Sequence, residues 1–173
     1  MANSLINRIT NANIYLNGVN LLGRAEEVEL PQPKSKEVEL KALGLWGSAD
    51  LPAGMEKLEA KIKWSSLFDE VLQTAFLPMA YASIMVRADM MQFSPGGLSA
   101  EVPVVALMMA RFKETPSFKV VKHENSESMS SLAVIYYKLT IAGIDEVEID
   151  VFANVYKVGG VDQLAQFRAN IGA

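Results

Sequence analysis

The chain is predicted to fold as one α+β domain, mainly antiparallel β. The expected form is a barrel- or sandwich-like arrangement with one central amphipathic helix and a short C-terminal helix. Three observations carry this expectation. Apolar and polar residues alternate with a period of two along much of the sequence, the pattern of half-buried strands. Glycine, proline and asparagine turn signals separate those runs. Apolar residues recur at helical spacing in one internal segment and again near the C-terminus.

Residues 13–16 read as a strand, and Asn17-Gly18 as a turn into a return strand over residues 19–22. Residues 1–11 read as an N-terminal arm. Residues 26–30 alternate up to Pro31, residues 31–35 read as a loop, and residues 37–43 alternate again, Val38 and Leu40 against Glu39 and Lys41. Three glycines and a proline within residues 43–55 predict a long, largely irregular loop. Residues 57–64 give the clearest strand, with Leu58, Ala60, Ile62 and Trp64 on one face and Glu59, Lys61 and Lys63 on the other.

Ser66-Leu67-Phe68-Asp69 matches a capping box with Asp in place of Glu. Leu67, Phe68, Val71, Leu72, Ala75 and Phe76 then form an apolar stripe that lies on a sheet until Pro78 stops it. Residues 81–90 and 101–113 read as strands around the turn Ser94-Pro95-Gly96-Gly97, with Pro103 favouring an edge or first position. Residues 119–128 read as a polar loop or strand end. Residues 129–141 form a long strand that turns through Gly143 into a hairpin partner, where Val147, Ile149 and Val151 alternate with Glu146, Glu148 and Asp150. Finally Gly159-Gly160 breaks a strand, and Asp162 caps a short helix with Leu164, Ala165 and Arg168 at helical spacing. No internal repeat, low-complexity run or linker divides the 173 residues, so a single domain is expected over 1–173.

Composition narrows the function classes. Half the residues are hydrophobic, which is rich for a soluble monomer and points to a partner surface. The absence of cysteine excludes disulfides, thiol catalysis and cysteine-based metal sites, and fits a reducing cytoplasm. The N-terminal residues lack the basic start and apolar core of a signal peptide, and no run reaches the roughly 18–20 apolar residues of a membrane helix. A net charge of −4 disfavours tight electrostatic binding of nucleic acid, while leaving room for a protein that DNA slides past.

The catalytic inventory is thin. His123 is the only histidine, so a zinc site would rest on carboxylates, and a surface role is expected for it. Ser126, Ser128, Ser130 and Ser131 have no Gly-x-Ser-x-Gly frame and read as a solvated loop and strand face. The glycine pairs lack a phosphate-loop pattern and read as turns. Glu146, Glu148 and Asp150 share a strand face on simple alternation, but calcium also requires a loop that wraps the ion. Met90-Met91 and Met108-Met109 suit either core filling or an adaptable contact surface. Trp64 reads as core, whereas Trp46, in a glycine-framed loop, suits contact with another subunit. No catalytic residue, cofactor or metal is expected.

Four stretches carry a family resemblance. They are Asn11-Ala-Asn-Ile-Tyr-Leu-Asn-Gly18, Ala25-Glu-Glu-Val-Glu-Leu-Pro31, Gly54-Met-Glu-Lys-Leu-Glu-Ala-Lys61 and the closing segment Lys157-Val-Gly-Gly-Val-Asp-Gln-Leu-Ala-Gln-Phe-Arg-Ala-Asn-Ile-Gly172. In this order they resemble the major tail tube proteins of contractile-tailed, P2-like bacteriophages, and with the elements between them the resemblance covers nearly the whole chain. Leu43-Gly-Leu-Trp-Gly47 departs from the Gly-Gly-Met-like sequence that members often carry near this point.

The resemblance implies a structural virion protein whose subunits form six-membered rings, stacked into a hollow tube inside a contractile sheath. Implied partners are further copies of itself, the sheath protein, and the baseplate and tail terminator proteins. DNA would pass without specific binding, and no membrane insertion by the chain alone is implied. Assembly in the host cytoplasm and residence in the virion tail follow. Six subunits with four strands each give about 24 strands and a barrel roughly 50 Å across at the backbone, leaving roughly 40 Å, enough for duplex DNA. Candidate ring-to-ring contacts are Leu45, Trp46, Ser48, Asp50 and Leu51, in the loop over 43–55. Candidate lumen residues are the polar faces Glu59, Lys61 and Lys63, or Glu146, Glu148 and Asp150. Within the same class the tube of a phage-derived bacteriocin or injection device is the alternative. From a different class the alternative is a monomeric ligand-binding β-barrel.

Overall fold

The computed structural model describes residues 5–44, 46–117, 122 and 128–173. In chain order the strands are β1 (Ile6–Leu16), β2 (Val19–Asn20), β3 (Ala25–Glu29), β4 (Ser35–Leu40), β5 (Ala49–Met55) and β6 (Leu58–Trp64). Helix α1 (Asp69–Ala75) follows, then β7 (Ala82–Ser94), β8 (Gly97–Glu114), β9 (Ser128–Ile141), β10 (Ile144–Asp150), β11 (Val155–Val158), β12 (Val161–Asp162) and α2 (Ala165–Ile171). The fold is mostly antiparallel β with two helices, as the period-two pattern predicts.

Ten strands form one sheet in the order β12-β11-β10-β9-β8-β7-β1-β2, with β6 joined to β9 and β3 joined to β6. The branch point lies on β9. Strand β8 runs along one side of β9, so β6 and β10 share the other, β6 against residues 128–134 and β10 against residues 136–141. The hand-over falls at Ile135, where Met109 pairs with Tyr136 and Ala110 with Val134, so that Ile135 is an extra residue. Its carbonyl accepts from the Val151 N–H at 3.0 Å. The bulge changes parity, so residues 128, 130, 132 and 134 share the core face with Tyr137.

One face of the sheet is buried. Ile14, Leu16, Ile62, Trp64, Ile84, Met108, Phe112, Leu132 and Ile149 meet there, and α1 covers them with Val71 and Ala75. The Trp64 indole N–H donates to the Ser130 hydroxyl at 3.0 Å, which satisfies both polar groups inside the core. Strands β1 and β3 do not pair; they flank a cleft of about 350 Å³ lined by Ile9, Ala12, Val28 and Leu30.

Several expectations are corrected. The arm over 1–11 is a strand from Ile6 onward, paired with β7 through Ile6↔Phe93 and Arg8↔Met91; residues 1–4 lie outside the described residues. The irregular loop over 43–55 is shorter, because β5 pairs with β4 as a separate hairpin. Pro52 is tolerated there because, among the described residues, β5 has a strand partner on one side alone. Helix α1 begins three residues after Ser66: Phe68 holds the N-cap position and no side chain caps the helix.

At the C-terminal helix the N-cap is Leu164, and Asp162 acts two residues earlier, accepting from the Leu164 N–H at 3.0 Å and from Arg168 at 2.5 Å. Ser128 and Ser130 are buried, because the strand parity that buries Leu132 buries them too; Ser131 faces out and donates to Glu114 at 2.7 Å. His123 and Ser126 lie outside the described residues. Pro103 sits inside the sheet, opposite Asp89 of β7 and one residue beyond the last pair with β9, Val104↔Ile141. Its carbonyl accepts from the Ala142 N–H at 2.9 Å, so the missing proline N–H falls where the ladder ends. The Asn17-Gly18 turn forms as predicted, both residues at positive φ, 49° and 83°.

Leu132→Ala should destabilise the fold by about 2–5 kcal/mol, whereas Leu43→Ala, at a fully exposed position, should stay within about 0.5 kcal/mol. Denaturant unfolding of both variants measures this, and equal losses would contradict the core assignment.

Candidate functional site

The face of the sheet turned away from the core is the most distinctive surface. Alternation on β6 sends Leu58, Ala60, Ile62 and Trp64 inward and Glu59, Lys61 and Lys63 outward. The pairings carry this face across the sheet. Glu59 is opposite Ala133, Lys61 opposite Ser131 and Glu29, and Lys63 opposite Met129 and Glu27. On β10, Glu148 lies opposite Lys138 and Asp150 opposite Tyr136, on the side away from buried Tyr137 and Ile149. Glu146 apart, the two sets of charged residues that the sequence offered as alternatives therefore share one face of one sheet.

A bulge between Asp145 and Val147 modifies the second set. Simple alternation places Glu146 beside Glu148; the bulge makes Glu146 the extra residue and brings Asp145, opposite Thr140, onto the charged face instead. Asp150 is used locally, its carboxylate accepting from the N–H groups of Phe152 at 3.0 Å and Ala153 at 2.9 Å.

The lysines of this face are matched by carboxylates. Lys113 lies 2.6 Å from Glu59, Lys61 3.1 Å from Glu29, Lys63 2.9 Å from Glu26, Lys138 2.7 Å from Asp145 and Lys157 2.9 Å from Glu148. Tyr136 donates to the other oxygen of Glu148 at 3.1 Å. Such exposed pairs add little stability, about 0–1 kcal/mol each. Their effect is electrostatic: the cations are neutralised at contact distance.

Titration follows the contacts. The Lys113 ammonium, helped by Lys57, holds the Glu59 carboxyl at about 2, below its ordinary 4.5. Lys157 lowers Glu148, and Lys138 with Thr140 lowers Asp145. Sequence spacing missed Lys113, Lys138, Asp145, Lys157 and the β3 glutamates, because their relation to β6 and β10 exists only through cross-strand register. Among the described residues no group of three or more His, Asp or Glu side chains is arranged to hold a metal ion.

The second candidate surface is the β4–β5 hairpin. Trp46 and Leu43 at its tip are fully exposed, at 107% and 105%, and Ser48 is exposed beside them. Leu45 lies outside the described residues. Asp50 and Leu51 belong to β5 and point to opposite faces, Asp50 across from Glu39 and Leu51 across from Val38. The five candidate contact residues thus divide between a tip and a strand. Leu43 was missed, although its place beside the Trp46 loop marks it.

A carboxyl held low by a lysine stabilises the fold above its unfolded value of about 4.5, and that contribution disappears as pH falls through its folded value near 2. Lys113→Gln should raise the Glu59 value toward the ordinary range, as followed by NMR titration of its carboxyl carbon. An unchanged midpoint would mean that the Lys113–Glu59 contact is absent in solution.

Comparison with known proteins places this arrangement. A sequence model of phage tail tube protein FII matches residues 6–172, which takes in every strand and both helices. The tail tube protein of Escherichia phage P2 is 32% identical over 163 residues, spanning 92% of this chain and 94% of that protein. The family is structural, a component of the virion tail and not an enzyme. With that match covering the sheet, the charged face and the hairpin alike, the chain belongs to the phage tail tube protein FII family.

Proposed function

We propose that the chain assembles into six-membered rings, that the rings stack into a tube within a contractile sheath, and that the charged face of the sheet lines a channel for DNA. The observation that carries this reading is the charge-paired face itself. It is a broad, one-sided surface on which lysines sit against carboxylates, on a sheet whose edges have no further strand partner among the described residues. A row of unpaired lysines would hold the phosphate backbone by counterion release. Paired lysines offer a passing duplex little to grip, and the acidic excess of the chain, −4, repels it.

The open edges fit the same reading. An isolated sheet with unpaired edges invites pairing with another chain, and a barrel shared among copies removes those edges. The long strands β1, β7, β8 and β9 are contiguous and antiparallel; β9 is paired on both sides, so the edge this run offers to another copy is that of β1. Residues 1–173 act as one tube domain, and the hairpin tip reaches the next ring, with Trp46 and Leu43 as apolar anchors. Sheath, baseplate and terminator proteins are the further partners of such a tube.

Negative-stain electron microscopy of the purified protein over a range of concentrations tests the assembly. Six-fold rings or hollow tubes are expected, and a compact monomer at every concentration, even with tail baseplates supplied as nuclei, would contradict the proposal. Removing residues 48–52 is a poor probe, because it cuts into β5. Leu43→Ala with Trp46→Ala leaves the hairpin ladder intact and should shorten or abolish tubes while rings persist; tubes of normal length would refute the role of the tip.

A further inference from the structure

The β4–β5 hairpin is incomplete in three ways. Its strands pair with each other and with no other strand among the described residues, so both outer edges are unpaired. One face carries Val38, Leu40 and Leu51, all exposed. The other carries Glu37, Glu39 and Asp50, with Glu39 directly across from Asp50, a like-charge pairing that opposes hairpin formation. Lys41 meets Glu39 at 2.8 Å and offsets one of the three charges.

A complementary set of deficits lies on β1. On the side away from β7, residues 6–13 have no strand partner among the described residues, because β2 pairs only with Tyr15 and Leu16. Ile6 and Ile9 are exposed, at 68% and 61%. Arg8 is exposed and lies on the charged side of the sheet, as its pairing with Met91 shows, whereas Ile9 pairs with buried Met90 and borders the cleft beside Val28 and Leu30.

We infer that the hairpin of one copy adds to the free β1 edge of a second copy, extending its sheet through β4. Pro52 interrupts the donor row of β5, so β4 offers the more continuous edge. One placement matches charge to charge at Arg8 and apolar to apolar at Ile9, with Ile6 on the side of Arg8. Laying Glu37 and Glu39 on the side of Arg8 places Val38 and Leu40 on the side of Ile9 and the open cleft. The reverse placement sets carboxylates against an apolar cleft and leaves Arg8 over leucine and valine. Backbone pairing supplies the attachment, and the two-faced pattern fixes which way up the hairpin lies. The inference rests on the tube reading in that it names the receptor for the projecting hairpin.

Charge reversal on the full-length chain tests it. Arg8→Glu alone, and Glu37→Lys with Glu39→Lys, should each raise the protein concentration needed for assembly by about tenfold or more, since like charges would then face across the junction. The combined triple variant should restore assembly to within about threefold of the parent. Far-UV circular dichroism confirms that each variant is folded; Glu39→Lys replaces the like-charge pairing with Asp50 by an attractive one, so loss of the hairpin is not expected. A second measurement needs no charge argument. As the chain has no cysteine, Arg8→Cys and Glu39→Cys copies mixed in equal amounts should form a disulfide-linked heterodimer on oxidation.

If the parent assembles and the reversals assemble equally well, or the triple variant fails to recover and no cross-link forms, the inference is overturned while the tube reading stands. If the parent does not assemble at all, both fall.

Discussion

The structure depends on the one-sided burial of a single branched sheet. Strand β9 holds β8 along one side and both β6 and β10 along the other, so almost every long strand is tied to one surface through it. Against that surface the chain lays one seven-residue helix, and α1 covers the inner face only. The outer face must then tolerate water or a partner along its whole extent. Cross-strand pairing makes this possible, because register sets lysine beside carboxylate from β3 to β11. Individually these pairs contribute little stability; together they make a large face of a β protein hydrophilic and set a carboxylate against each of its paired lysines.

The apolar surplus resides elsewhere. Leu43 and Trp46 at the hairpin tip, Val38 and Leu51 along it, and Ile6 and Ile9 on the β1 edge are exposed together with open backbone edges. A sheet left this way would aggregate unless the exposure were used. Family membership supplies the use in general terms, since a tail tube protein is made to associate with copies of itself.

Much of the fold was legible because it depends on local pattern. Alternation through Leu58, Ala60, Ile62 and Trp64, the Asn17-Gly18 turn and the stripe containing Val71 and Ala75 each declare themselves within a few residues. What sequence reading misplaced depends on partners distant in the chain. Residues 6–11 look like an arm until β7 is known to lie beside them, and β5 looks like a loop because Pro52 and Gly54 weaken its pattern. The two bulges were invisible for the same reason. One exchanges Asp145 for Glu146 on the charged face, and the other buries Ser128 and Ser130. Each of the two charged groupings was visible, but their sharing of one face was not, since only the branch at β9 brings β6 and β10 together.

The central claim is that this face lines the channel. Single cysteines at Lys61, at Glu148 and, on the exposed side of α1, at Gln73 can be labelled in assembled tubes with a small and with a bulky polymer-linked maleimide. The account predicts that cysteines at 61 and 148 react with the small reagent and resist the bulky one in tubes, while reacting with both in dissociated subunits; the cysteine at 73 should accept the small reagent in either state. Equal labelling of positions 61 and 148 by the bulky reagent in intact tubes would place the charged face on the outside and contradict the account.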